Sequence, residues 1–154
     1  MESSPPVTEF YVPPRYPRPL ALALFERDGD ILVFEGRDPK RDLIFYRPLG
    51  GGIEFGEHSA EAMAREILEE LGLECEPQGL VGVLENRFVH YGNPGHEIVF
   101  VHRARFTDAS VYATDIPFVE SQFTSHALWV PLADFISGRR KLFPDGLVEL
   151  LAGS

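Results

Sequence analysis

The chain has 154 residues, a net charge of −10 and a single cysteine, Cys75. This length accommodates one domain with an ordinary core and leaves no room for a second. A lone cysteine excludes an internal disulfide and favours a reducing compartment. The sequence has no apolar run of transmembrane length and no signal-peptide pattern at its N-terminus. We therefore predict a cytoplasmic protein with no membrane partner.

The negative charge is concentrated in one stretch of the chain. Residues 54–76 contain eight acidic residues and one basic residue, Arg65, and so carry −7, which leaves only −3 for the remainder. A field of this sign repels nucleic acid and bare phosphate unless divalent cations are bound first. We predict that nucleic acid is not a partner and that a cation site lies in this stretch.

The N-terminal segment is rich in proline, with six prolines in residues 1–19. Such a composition favours an extended arm over a packed element. We predict an arm over residues 1–19, followed by one domain over residues 20–154. The arm is a candidate contact for a homodimer.

Strand patterns lie on both sides of the acidic stretch. Before it, residues 20–25 and 31–35 flank a turn at Asp28-Gly29 and predict a hairpin, and residues 43–47 predict a strand that Pro48 ends. After it, residues 80–84 and 88–91 predict strands, and a turn at 92–95 leads into a strand over 97–106. Residues 128–130 predict a short strand and 145–151 a C-terminal helix. Mixed strands with a central and a late helix predict an α+β fold.

Residues 51–73 read GGIEFGEHSAEAMAREILEELGL and contain the most informative pattern. Glu66, Glu69 and Glu70 stand at i, i+3 and i+4, which places them on one side of a helix. Like charges so close repel each other, so a cation is expected to lie between them. Oxygen ligands of this kind favour Mg2+ or Mn2+.

The same helix has an apolar side and local end signals. Ser59 is the predicted N-cap and Gly72 the predicted C-terminal stop. The stripe predicted to pack on the sheet, nearly opposite the carboxylates, consists of Ala60, Ala64, Ile67, Leu68 and Leu71. Arg65 is positioned to pair with Glu69 or to reach back to Glu57.

This window resembles the signature of the Nudix hydrolases. The signature is Gly, five residues, Glu, seven residues, Arg-Glu, an aliphatic residue, any residue, Glu-Glu, any residue, Gly and an aliphatic residue. Every fixed position matches: Gly51, Glu57, Arg65, Glu66, Ile67, Glu69, Glu70, Gly72 and Leu73. The resemblance implies an α/β/α sandwich, the Nudix fold, with a mixed central sheet and the helix of this window. It also implies metal-dependent hydrolysis of a pyrophosphate bond in a nucleoside diphosphate linked to another group.

The resemblance also implies roles for single residues. The metal-binding glutamates correspond to Glu66, Glu69 and Glu70, and a further metal ligand corresponds to the backbone carbonyl of Gly50. Glu57 is expected beside the metal, behind the direct ligands, and Arg65 is expected to orient carboxylates. For Glu57 and Arg65 a simple salt bridge is the alternative.

The general base has several candidates. In this family the base is either a glutamate of the signature, here Glu69 or Glu70, or an acid from a later segment. Glu120 matches that segment by region, and Glu97 begins a long strand that could project inward beside the helix. His96, His102 and His126 are further candidates by their ordinary pKa.

Substrate recognition is the least determined property. Arg47 precedes the glycines and is a candidate phosphate contact. Phe118 and Phe123 could stack on a base or simply belong to the core, and the basic run at 139–141 could be a solvated loop. Two other functions stay open: a nucleotide-binding regulator without catalysis, and a non-hydrolytic enzyme of the same fold, such as a diphosphate isomerase.

Overall fold

The computed structural model describes residues 12–113 and 127–153. The strands are β1 Arg18–Leu24, β2 Glu26–Arg27, β3 Asp30–Asp38, β4 Leu43–Arg47, β5 Leu49–Gly52, β6 Cys75–His90, β7 Asn93–Phe106 and β8 Ala127–Pro131. The α-helices are α1 Ser59–Leu71, α2 Leu132–Ile136 and α3 Leu147–Ala152, and a 3-10 helix spans Ala109–Ala113. None of the helices in these described ranges is long and apolar enough to cross a membrane.

The strands form two sheets of four. The first has the order β5-β1-β7-β6, in which β1 and β7 are parallel and the other pairs antiparallel. In the second, β3 pairs antiparallel with β2, β4 and β8. This mixed architecture with helices confirms the predicted α+β sandwich.

Strand β1 separates two apolar cores because its side chains alternate between its faces. Ala21 and Ala23 face a core that includes Ile67 of α1. Leu20 and Leu22 face a second core that also contains residues of α2 and α3. Every residue from Leu20 to Phe25 is at most 1% exposed, so β1 lies in the middle of the molecule.

The predicted hairpin over residues 20–35 is only partly correct. Asp28 and Gly29 do form the turn, with φ values of 48° and 86°. However, the strand that precedes the turn within this sheet is only the two-residue β2. The strand is interrupted at Phe25, because β1 belongs to the other sheet and pairs with β5 and β7.

The hairpin of β6 and β7 has a tighter turn than predicted. The turn residues are Tyr91 and Gly92, with φ values of 56° and 79°. His90 therefore pairs with Asn93, and residues 93–95, predicted as turn, belong to β7. The two strands predicted at 80–84 and 88–91 are one continuous β6 with irregularities near Gly79 and Gly82.

Helix α1 begins and ends with local caps, although one differs from the prediction. Gly72 adopts φ 68°, and its N–H donates to the Leu68 carbonyl at 2.9 Å, which confirms the predicted stop. The N-cap is His58 and not Ser59, and its backbone N–H donates to Glu61 Oε1 at 2.9 Å. Ser59 is the first residue of the helix, and its hydroxyl is hydrogen-bonded to His102 Nε2 at 2.8 Å instead of capping the helix.

The buried side of α1 also differs from the predicted stripe. The fully buried residues are Ala62, Met63, Glu66, Ile67 and Leu71. Leu68, predicted to pack on the sheet, is 49% exposed, whereas Glu66, predicted to face away from it, is 1% exposed. The helix is thus rotated so that one carboxylate faces the protein interior.

Candidate active site

Arg65 is the centre of the carboxylate cluster. Its Nε donates to Glu57 Oε2 at 2.7 Å and its Nη2 to Glu57 Oε1 at 2.9 Å. Its Nη1 donates to Glu66 Oε1 at 3.1 Å and to Glu69 Oε1 at 3.3 Å. Both predicted contacts, with Glu57 and with Glu69, are therefore present, and Glu66 is bound as well. One guanidinium holds three carboxylates in place through charge-assisted hydrogen bonds.

The loop before α1 is attached to the same arginine. Arg65 Nη2 donates to the Gly52 carbonyl at 3.0 Å and lies 3.8 Å from Glu54 Oε1. Glu57 also accepts the backbone N–H of Glu54 at 2.9 Å. The hydrogen bonds from Arg65 hold the pKa of Glu57 below its usual value. The same hydrogen bonds, which Arg65 donates to Glu57, are the main reason that the pKa of Arg65 is raised.

The glycine strand β5 packs directly against Glu66. A Cβ atom built on Gly51 would lie 2.5 Å from Cδ of Glu66, so only glycine leaves space for this carboxylate. Oε1 of Glu66 is bound by Arg65, whereas Oε2 is buried and, within residues 12–113 and 127–153, accepts a hydrogen bond only when the neighbouring Glu70 carboxyl is protonated and donates to it. Burial raises the pKa of Glu66. The carboxylate of Glu66 thus faces the glycine strand.

Glu70, one helical turn after Glu66, is the second strongly perturbed carboxyl. Burial, followed by the negative charge of Glu66, raises the pKa of Glu70 to about 8. The positive charge of Arg47 acts in the opposite direction and favours the ionised form of Glu70. A carboxyl with this pKa is mostly protonated at pH 7 when no cation offsets the repulsion.

Two carboxylates of the cluster are suited to bind a divalent cation. Nowhere in residues 12–113 and 127–153 are three His, Cys, Asp or Glu side chains arranged to hold one metal ion. Glu66 and Glu70 do supply a pair of carboxylates that repel each other when both are ionised. Two carboxylates are what Mg2+ often takes from a protein, with waters and substrate phosphates completing its shell. The pair therefore fits Mg2+ bound together with a phosphorylated substrate.

An open cleft of about 160 Å³ lies beside Arg47. It extends over β1, β6 and β7 to the segment before α3, and its lining includes Arg41, Phe45, Arg47, Asn86, Phe88, Glu97 and Phe143. Nε of Arg47 is buried and has no hydrogen-bond partner among the described residues. Because Arg47 lines the cleft and lies four residues before Gly51, it connects the cleft to the glycine strand that packs against Glu66.

The remaining predicted residues fall into three groups. Glu97 is 7% exposed and lines the cleft. Gly50 pairs with Leu22 in the sheet at φ 150°, a backbone approach too close for any side chain. Four candidates lie outside the described residues: Glu120, His126, Phe118 and Phe123.

The other basic and histidine candidates have structural partners. His102 is buried, which lowers its pKa, and its ring is bonded to Ser59. His96 lies 2.9 Å from the exposed Glu85. Arg140 donates to Asp134 at 3.0 Å and to the Tyr46 hydroxyl at 2.7 Å, so it helps to fix the segment before α3.

Sequence reasoning missed several residues of the site. Glu54 and the Gly52 carbonyl lie beside Arg65 without a periodic signal. Asn86 and Phe143 line the cleft from distant parts of the chain. The register of the β6 and β7 hairpin would have placed Asn86 opposite Glu97, but it requires the correct turn.

Known proteins resemble this chain in sequence and in fold. Residues 15–151 match the model of the NUDIX domain family. The human 8-oxo-dGDP phosphatase NUDT18 is 40% identical over 80 residues, which cover 49% of this chain and 24% of that protein. The match therefore spans only about a quarter of the length of this relative.

Solved structures share the whole fold. A MutT NUDIX hydrolase from Burkholderia pseudomallei has a TM-score of 0.65 and 26% identity, covering 91% of this chain and all of that one. The ORF135 protein of E. coli has a TM-score of 0.61 and 23% identity, covering 88% of this chain and 86% of that one. With the family model spanning nearly the entire chain and the signature placed on a loop and helix, the chain belongs to the Nudix family.

Proposed function

We propose that this protein is a divalent-metal-dependent hydrolase that cleaves a pyrophosphate bond in a nucleoside diphosphate linked to a further group. The observation that carries the proposal is the pair of buried carboxyls of Glu66 and Glu70, whose pKa values are both raised by burial and by neighbouring negative charge, that of Glu70 to about 8. A carboxylate pair in this state is stabilised by a cation. We assign Glu66 and Glu70 as the metal ligands, with Glu69 and the Gly50 carbonyl as candidates for the same shell.

The residues of the chain hold and orient the reactants. Bound Mg2+ or Mn2+ would neutralise phosphate oxygens and lower the pKa of the attacking water. Arg65 keeps Glu57, Glu66 and Glu69 fixed and so positions the ligand carboxylates. Arg47, which has an unmatched Nε, is placed to contact a phosphate. Water adds to one phosphorus, the bridging P–O bond breaks, and a carboxylate accepts the proton of the water.

Three carboxylates are candidates for that proton acceptor. Glu69 is 38% exposed and held by Arg65, which leaves it accessible beside the ligand pair. Glu97 lies in the cleft, and Glu120 lies outside the described residues. We assign the base to Glu69, because it is the carboxylate of the cluster that water reaches most easily.

The relatives suggest where to begin with substrates. The human relative is an 8-oxo-dGDP phosphatase, and its similarity to this chain covers about half of the chain. A nucleoside diphosphate contains the P–O–P bond that this site is proposed to cut. We therefore propose nucleoside diphosphates as the first class, followed by nucleotide sugars and dinucleotides.

A substrate panel tests the proposal. Purified protein is incubated with nucleoside di- and triphosphates, nucleotide sugars and dinucleotides, with EDTA, Mg2+ or Mn2+, and products are separated by chromatography. We expect turnover of at least one compound only with a divalent ion, with products that locate the broken bond. Turnover that is insensitive to EDTA would contradict metal dependence. Binding without turnover would support the regulator, and an isomerised product would support the non-hydrolytic enzyme.

A further inference from the structure

The cleft contains a polar pair on two neighbouring strands. Asn86 of β6 and Glu97 of β7 stand directly opposite each other in the antiparallel register. Both line the cleft, and they are only 8% and 7% exposed. Residues in this relation have their Cβ atoms about 5 Å apart. The amide and the carboxylate therefore present themselves side by side to a ligand.

Neither side chain is satisfied by the protein. Within residues 12–113 and 127–153, the Asn86 amide and the Glu97 carboxylate make no hydrogen bond or ion pair, and their polar atoms stay open to the cleft. Buried polar groups in native proteins are almost always hydrogen-bonded, either to protein or to water. Two such groups at adjacent positions are what a site with polar ligand specificity requires.

The position of Arg47 indicates how a nucleotide would be oriented in the cleft. Arg47 lines the cleft and lies four residues before Gly51, which packs against the carboxylate of Glu66. A nucleotide with its phosphates at Arg47 and the carboxylates would extend its nucleoside into the cleft. The aromatic side chains of Phe45, Phe88 and Phe143 line the same space and offer apolar surface for a flat base.

We propose that Asn86 and Glu97 are specificity-determining residues that select a guanine base. The Watson–Crick edge of guanine has two adjacent N–H donors, at N1 and N2, beside one acceptor, O6. The Glu97 carboxylate accepts from both donors and the Asn86 amide donates to O6. Adenine has one donor and one acceptor on this edge, N6 and N1, so it pairs with one carboxylate oxygen and the amide and makes one hydrogen bond fewer than guanine.

This arrangement also determines which part of the base Asn86 and Glu97 do not recognise. Oxidation of guanine at C8 leaves its Watson–Crick edge unchanged. The pair therefore selects the guanine ring without distinguishing the oxidised from the ordinary base. The inference rests on the proposed function for the nucleotide nature of the ligand, and it reassigns Glu97 from a candidate base to a recognition residue.

Binding of GMP and AMP tests the proposal without turnover, because neither contains a pyrophosphate bond. Dissociation constants are measured by calorimetry in Mg2+ for the wild-type protein, Glu97→Gln and Asn86→Asp. Glu85→Gln is the matched control, since Glu85 precedes Asn86 in β6 and its side chain is 68% exposed. We expect the wild type to bind GMP about ten- to a hundredfold more tightly than AMP. Both cleft variants should lose this preference, and Glu85→Gln should keep it.

The contradicting results are equally specific. Equal affinity for GMP and AMP in the wild type, or no binding of either, would overturn the proposal. So would a guanine preference that survives in Glu97→Gln or in Asn86→Asp. Glu97→Gln removes an acceptor and Asn86→Asp removes a donor, so each variant tests the proposal separately. The comparison needs only one of them to keep the melting temperature of the wild type.

A kinetic readout separates this proposal from the proposed function. If Glu97→Gln lowers kcat equally for guanine and adenine substrates, Glu97 is a general base and the recognition role is wrong. If the protein prefers GMP but hydrolyses nothing on the panel, the recognition role stands and the hydrolase function fails. If it hydrolyses several nucleotides without regard to base, the hydrolase function stands and the recognition role fails.

Discussion

The carboxylate cluster and the cleft differ in how far the protein satisfies its own polar groups. In the cluster, Arg65 binds three glutamates and a backbone carbonyl, whereas Oε2 of Glu66 receives no N–H from Arg65 or from any other described residue. In the cleft, Asn86 and Glu97 have no partner among the described residues. Arg65 thus fixes Glu57, Glu66 and Glu69 before a substrate arrives, whereas the groups assigned to recognition await one. Substitutions should therefore change rate in the first region and ligand preference in the second.

The largest expected effect comes from the carboxylate pair. Glu70→Gln keeps the shape of the side chain but removes the charge that a cation needs. We expect kcat to fall by at least about 100-fold, with no change of melting temperature beyond that of a control. Glu74→Gln is that control, because it makes the same change at an exposed site just after α1. Near-normal activity in Glu70→Gln would show that the site has been assigned to the wrong residues.

A steric change at Gly51 should come next. In Gly51→Ala the new methyl group would lie 2.5 Å from Cδ of Glu66, so the carboxylate must move. Because misplacement by about 1 Å can cost up to about 100-fold, we expect kcat to fall by roughly tenfold or more. Gly153→Ala, where the nearest atom is 3.5 Å away, should leave kcat unchanged. Unaltered activity in Gly51→Ala would mean that the position of Glu66 does not matter.

Replacing Arg65 should weaken both rate and stability. Lysine keeps the charge in Arg65→Lys but cannot reach three carboxylates together, and we expect a loss of about 2 kcal/mol in urea unfolding. Arg105→Lys, at an ion pair with 62% and 52% exposed side chains, should cost about 0.5 kcal/mol or less. Similar losses in the two variants would argue against a central role for Arg65.

The pH dependence of that stability has a defined sign. Arg65 lowers the pKa of Glu57 below its ordinary value of 4.5. Its contribution is therefore fully present above pH 4.5 and is lost as the pH falls through the lowered value. Urea unfolding of the wild type and Arg65→Lys at acid and neutral pH should converge as the pH decreases.

The smallest effect concerns Cys75, which lies outside both regions. Burial raises the pKa of its thiol to about 11, compared with 9.0 for a free cysteine. At pH 8 the folded protein should therefore react with a thiol reagent about 100-fold more slowly than the urea-unfolded chain. Activity should not change on slow labelling. Fast reaction in the folded state would show that the helix end around Cys75 is open.

The two regions also differ in what their sequence can predict. The cluster lies within one window, so the spacing of Arg65, Glu66 and Glu69 on a helix sufficed to predict their contacts. The burial of Glu66 was not predictable from spacing, because charge indicated an exposed side and the helix is rotated so that Leu68 is exposed instead. That rotation is set by the packing of α1 against β1 and β5. The helical periodicity of the sequence carries no information about this packing.

The cleft could not be assembled from local patterns. Its residues come from several elements, and their proximity depends on the hairpin register. A turn at residues 92–95 would have placed Asn86 opposite Val101, whereas the actual turn at Tyr91-Gly92 places it opposite Glu97. In the same way, the interruption at Phe25 places β1 in a different sheet from its expected hairpin partner. In both places the strand pairing is set by contacts between residues far apart in the sequence.

Binding of Mn2+ tests the central claim, that Glu66 and Glu70 hold a divalent cation, most directly. Bound Mn2+ is measured by electron paramagnetic resonance with GMP present, in the wild-type protein, Glu66→Gln, Glu70→Gln and the control Glu74→Gln. We expect saturable binding in the wild type and the control, and binding weaker by at least about tenfold in each site variant. Equal Mn2+ affinity in all four proteins would contradict the assignment of Glu66 and Glu70 as ligands.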